Sequence, residues 1–145
     1  FIQGQPLGVV NGQDYQYSGN VRRIDTAAIN GCLETGNIVI VSPIGYSPTG
    51  EVFNLSMEDV AVATAKSLGA EKLIFFSDGV VIDRTGRNLA DATAAEAEEL
   101  LARSKRLTAD TRLYLAHAVE AVRGGVKRAH IINRRVDGAL LIELF

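Results

Sequence analysis

The residues available for chemistry are few and scattered. The chain has two histidines, His117 and His130, and one cysteine, Cys32. His130 stands inside the apolar run RAHII, which reads as part of a central strand, near its C-terminal end. In open α/β sheets small ligands bind outside the carboxyl ends of the strands, so His130 is a ligand candidate; a satisfied core histidine is the competing reading. Lys72 opens the run KLIFF, where it reads either as a rim lysine that lays its stem over apolar surface or as an ammonium that needs a partner. Glu143 follows ALLI on an otherwise apolar helix and reads either as a solvated face or as a ligand group. His117 precedes Glu120 by one helical step, which points to a structural pair. Cys32 shares helical spacing with Ile29 and Leu33 and is expected to pack in the core.

Several reactive constellations are missing. There is no phosphate-binding G-x-x-x-x-G-K loop, no G-x-G-x-x-G and no G-x-S-x-G elbow. A single cysteine without H-E-x-x-H spacing argues against zinc and excludes an internal disulfide. No metal site is expected, nothing local supports Ser-His-Asp catalysis, and the residues alone leave a small-ligand site open.

The elements that would position these groups follow from patterning. Strands are predicted near 15–24, turning at SGN. Asp25 caps a helix over TAAINGCLETG that Gly36 stops, with Ile29, Cys32 and Leu33 as its buried stripe. The continuous apolar run NIVIVSP predicts a parallel strand covered on both faces. After the turn-rich GYSPTGEVFN, Ser56 caps a helix, with Asp59 three residues on. KLIFFSD predicts a second buried strand, and GVVIDRTGR a small hairpin. Two helices follow, over NLADATAAEAEELLARSK, with Leu100 and Leu101 on its apolar side, and over ADTRLYLAHAVEAVRGG. Leu115, Ala118, Val119 and Val122 form the apolar stripe of the second, and Gly124 and Gly125 end it. VKRAHIIN is a third buried strand, and GALLIELF starts a last helix. This alternation predicts an α/β protein with a mostly parallel sheet flanked by helices and decorated by small β-hairpins.

Composition narrows the class. The 145 residues suit one domain or a piece of one, and a hydrophobic share of 47% supplies a core. The net charge of −2 favours neither nucleic acid nor an anionic membrane as partner. Arg123, Lys127, Arg128, Arg134 and Arg135 fall in a segment without acids. They read as a solvated rim, or as an anion-binding or subunit-contact surface. The single cysteine suits a reducing cytoplasm. The chain opens on a strand without Met and closes on an apolar helix, so both ends are expected to be cuts in a longer protein.

The blocks AEKLIFFSD, AVEAVRGGVKRAHII and GALLIELF together resemble the C-terminal half of the amino-acid kinase fold. With SGNVRRID and SPIGYSPTGEVFNL, the chain resembles the bacterial N-acetylglutamate synthase family over essentially its whole length. The resemblance implies that residues 1–145 are the later half of a kinase-like domain, with the acetyltransferase domain outside the chain. It implies a parent enzyme that transfers acetyl from acetyl-CoA to the amine of L-glutamate in arginine biosynthesis, and an expected homo-oligomer.

Phosphoryl transfer is expected to be lost. The related N-acetylglutamate kinases place a lysine in the helix before EAVxGGV, and the matching residue here is Tyr114. A neutral phenol cannot neutralise a phosphoryl group in flight. Their N-x-N-A-D run is matched by Asn54, Ser56 and Glu58, so the Asp is replaced by a longer acid beside Asp59. In arginine-sensitive members the effector sits near the residues matched by Lys72, His130 and Glu143. The resemblance therefore implies L-arginine as effector. Glu143 would accept paired hydrogen bonds from the guanidinium, and Lys72 would pair the α-carboxylate. A functioning N-acetylglutamate kinase and a non-enzymatic assembly module are the alternatives.

Overall fold

The computed structural model describes residues 1–79, 81, 85, 86 and 88–144. The chain divides into two compact units, Phe1–Gly69 and Ala70–Phe145.

In the first unit β1 (Ile2–Pro6) is followed by the short pair β2 (Val9–Val10) and β3 (Gln13–Asp14), then β4 (Gly19–Ile24). β1 and β4 pair antiparallel, with a register shift between Gln3 and Gly4. The expected turn at SGN is therefore displaced. Ser18 precedes β4, Gly19 and Asn20 lie inside it, and the reversal is made by the β2–β3 hairpin. The tight approach of neighbouring side chains explains the glycine at the start of β4. A Cβ on Gly19 would lie 2.9 Å from Phe53 Cβ.

Helix α1 (Thr26–Glu34) starts as expected, the Asp25 carboxylate accepting from the Ala28 N–H. Its buried face is narrower than the periodicity suggested. Ile29 is buried, but Cys32 is half-buried and Leu33 is exposed, so neither completes a core stripe. β5 (Ile44–Tyr46) and β6 (Val52–Asn54) form an antiparallel hairpin, and β5 pairs parallel with β1, giving the order β4-β1-β5-β6. The strand expected over NIVIVSP is absent among the described residues. Val39 and Val41 pack on the core while Ile38 and Ile40 are exposed. The run is apolar throughout, but only one of its faces is covered here and no ladder neighbour flanks it. α2 (Met57–Leu68) begins at the expected cap, Ser56 Oγ accepting from the Asp59 N–H. Ile2, Ile24, Ile29, Phe53, Leu55 and Val60 form the core of this unit.

The second unit is a β-α-α-β-α arrangement. β7 (Lys72–Ser77) leads to α3 (Ala94–Arg103) and α4 (Ala109–Arg123), and then to β8 (Arg128–Asn133) and α5 (Ala139–Leu144). β7 and β8 pair in parallel from Lys72↔Arg128 to Ser77↔Asn133, as a helical crossover between them allows. The stretch Asn88–Ala92 of the expected first helix is not helical, because Thr93 begins α3 with a reciprocal cap to Glu96. α4 ends at Gly124, and Gly125 takes a φ of 104° that a residue with a Cβ resists. Ala97, Leu100, Leu107 and Leu115 form the core here, with Leu101, Val119 and Ile131 packed against it. The expected stripe of α4 holds at Leu115 and Ala118, with Val119 and Val122 half-buried and Thr111 and Ala121 also buried. The hairpin expected over GVVIDRTGR lies largely outside the described residues. No described helix is long and apolar enough to cross a membrane.

Candidate effector site

In a parallel pair alternate residues share a face, so the register places Lys72 beside Arg128 and Ile74 beside His130. Leu73, Phe75, Ala129 and Ile131 alternate with them. Phe75 meets Tyr114 of α4, with ring centroids 5.4 Å apart. Lys72 and His130 therefore alternate with the residues that face α4, and the cavity described below is lined from both faces of β8. The ligand-crevice expectation for His130 needs correction: it is the third residue of β8 and Lys72 is the first of β7, so both lie toward the start of the strands.

Both residues converge on Glu143 of α5. His130 Nδ1 lies 2.9 Å from Glu143 Oε1. His130 Nε2 is buried and has no hydrogen-bond partner among the described residues. Lys72 Nζ donates to the Glu143 main-chain carbonyl at 2.5 Å and lies 3.6 Å from its Oε1. The Lys72, His130 and Glu143 side chains are 32%, 25% and 25% exposed, which leaves all three within reach of a solute.

His130 and Glu143 line a cavity of about 440 Å³, within the range of small-molecule sites. Ala97, Ala118, Val119 and Val122 supply an apolar wall, and Asp91, Lys127 and Arg128 add charge. Lys72 stands behind Glu143 rather than on the wall. The apolar wall was hidden in the sequence because its residues also satisfy the helical core stripe. The alanines among them, which leave room, were the available signal.

The basic segment is mostly neutralised within the unit. Arg123 makes paired 3.1 Å bonds to Glu98, and Lys127 donates to Glu71 at 2.5 Å. Asp78, just after β7, accepts from Arg134 and Arg135. The hydrogen bonds from Arg134 and then Arg135 lower the Asp78 pKa to about 2, and that from Lys127 lowers Glu71. The solvated-rim reading fits these residues, with Arg128 apart. His117 Nδ1 lies 2.8 Å from the Leu113 carbonyl one turn earlier.

Tyr114 and Glu58 are engaged locally. Tyr114 packs its ring on Phe75. Glu58, in the first turn of α2, accepts from the Ser56 hydroxyl at 3.0 Å, where its charge favours the helix N-terminus. Among the described residues no group of His, Cys, Asp and Glu could hold a metal ion.

Comparison with known proteins identifies what the chain is similar to. An amino-acid acetyltransferase of Ralstonia nicotianae is 49% identical over 146 aligned residues, covering 100% of this chain and 32% of that protein. The crystal structure of N-acetylglutamate synthase from Neisseria gonorrhoeae complexed with coenzyme A and L-arginine superposes with a TM-score of 0.90 at 41% identity, covering 100% of this chain and 34% of that one. The same synthase complexed with coenzyme A and N-acetyl-glutamate gives 0.89, at the same identity and coverage. The chain thus spans about a third of the length of these relatives. The amino acid kinase family profile matches residues 2–133, and the chain belongs to that family.

Proposed function

We propose that this chain is the later half of the kinase-like, arginine-sensing region of an N-acetylglutamate synthase. In this reading the parent protein transfers acetyl from acetyl-CoA to the amine of L-glutamate, and that chemistry takes place outside residues 1–145. The protein is cytoplasmic and assembles with copies of itself. Its effector is L-arginine, and Lys72, His130 and Glu143 form the polar end of the effector site.

The convergence of Lys72 and His130 on Glu143 at the wall of the cavity carries this reading. His130 occupies Oε1, which leaves Oε2 without a partner among the described residues. A guanidinium offers several coplanar N–H donors, enough to pair with the Glu143 carboxylate. The alanine and valine wall accommodates the methylene chain. Lys72, bonded to the main chain of Glu143, holds the helix that presents the carboxylate. Arginine then regulates a distant acetyltransferase only through a difference in affinity between two states of the whole protein. The relatives' acetyltransferase names and the arginine complex of the gonococcal synthase support the same reading. Phosphoryl transfer is disfavoured, because the positions a kinase needs are occupied by the Tyr114 ring and by Glu58 bonded to Ser56.

Calorimetric titration of the full-length protein with L-arginine tests this, wild type against Glu143→Ala. Binding by the wild type and its loss in the variant are expected. No binding by the wild type refutes the sensing role, and equal binding by both refutes the assignment of Glu143.

A further inference from the structure

The segment that carries Glu143 runs back along the strands. β8 ends at Asn133, yet Glu143 stands beside Lys72, the first residue of β7. α5 has no buried residue of its own, so both of its ends need tethers. Glu143 supplies the far tether, through Lys72 and His130. The near tether lies at the strand exits. There the Arg134 N–H donates to the Ser77 carbonyl at 3.0 Å. Asp78, the first residue past β7, accepts from Arg134 Nε at 2.8 Å and from Arg135 Nε at 3.0 Å, and a second nitrogen of Arg134 reaches its other oxygen. The Arg135 N–H donates to the Asn133 side chain at 2.9 Å. From this anchor the chain turns through Val136, whose N–H bonds the Asn133 carbonyl, and through Gly138, with a φ of 74°, into α5.

One carboxylate thus holds two consecutive guanidiniums across the β7–β8 pair. Asp78 lies about 20 Å from Lys72 along the extended strand, so it acts on Glu143 only through the connecting segment. A lone exposed ion pair contributes little, but a forked pair shared by two arginines is a network of the kind that does contribute. We propose that Asp78 is a remote positioning residue of the effector site. By pinning Arg134 and Arg135 it fixes where α5 starts, and so where the Glu143 carboxylate stands beside Lys72 and His130. The proposal rests on the arginine-sensing reading above. Without the pin, docked α5 takes a range of positions, and the effector binds only the fraction in which Glu143 is in place. A global destabilisation of the same size leaves almost all of the protein folded and moves no affinity.

Asp78→Asn keeps the side-chain shape and removes the charge. The full-length protein is followed by hydrogen exchange without ligand and by calorimetric titration with L-arginine. Without ligand, the Val136 and Ala139 amides are expected to exchange about three-fold faster in the variant, with the β7 and β8 amides unchanged. Arginine affinity is expected to fall by about three-fold. Asp78→Glu restores the charge, and Arg134 and Arg135, both more than half exposed, can follow the longer side chain. It should therefore recover most of the affinity. In a background carrying Arg134→Met and Arg135→Met, Asp78→Asn should have no further effect on it. Unchanged affinity in Asp78→Asn, a Glu variant as weak as the Asn variant, or a further loss in the double-Met background would each overturn the proposal. Unchanged exchange at Val136 and Ala139 with intact arginine binding refutes the pin alone. Failure of the wild type to bind arginine removes the sensing role itself, and the positioning role with it.

Discussion

Helix α5 tests whether the polar cluster holds structure as well as ligand. It has six residues, fewer than an isolated helix needs in water, and none of them is buried. Leu141, Ile142 and Leu144 are more than half exposed. Its attachment to the strands therefore depends heavily on Glu143, through the Lys72 bond to its carbonyl and the His130 contact to its carboxylate. Lys72→Met keeps most of the stem volume and removes the donor. A hydrogen bond from a charged donor is worth about 1.5–3 kcal/mol net. Lys72 is 32% exposed, so water replaces part of that, and about 1 kcal/mol is a fair expectation after screening. At equilibrium this raises the open population of α5 roughly five-fold. Hydrogen exchange of the full-length protein would read it as a five-fold fall in protection at the Ile142 amide, which donates to the Gly138 carbonyl just before α5. The β8 amides should not change. Unchanged protection at Ile142 would show that other contacts hold α5, and would remove Lys72 from its positioning role.

Two further expectations concern the second unit. Leu115→Ala removes a buried side chain from the α3–α4–β8 core and should cost about 2–4 kcal/mol, read as a lower urea midpoint at unchanged slope. The Asp78 carboxyl, lowered from 3.8 to about 2 by Arg134 and Arg135, contributes stability that is fully present above its ordinary value and lost as pH falls through that window. The stability gap between wild type and Asp78→Asn should therefore shrink between pH 5 and pH 2.5; a gap that widens would reverse the sign of the argument.

Local order was legible where one strong signal acted alone. Asp25, Ser56 and the glycine pair after α4 mark helix ends because capping is a property of a few adjacent residues. Segments whose state depends on a distant neighbour were misread. The run at 37–43 is apolar enough for a buried strand, yet Ile38 and Ile40 are exposed, because apolarity does not specify which faces are covered. Leu33 failed for the same reason on α1.

By itself the sequence determined the α/β class and the caps, and its motif blocks singled out Lys72, His130 and Glu143 as the residues to propose for an effector site. Only the tertiary structure decided that Lys72 and His130 meet at Glu143, residues 71 and 13 positions further along the chain, since parallel pairing sets which side chains share a face. It also decided which cations are neutralised by remote acids. Charge is written in the sequence, but its availability depends on distance and screening, which arise only when the strands come together.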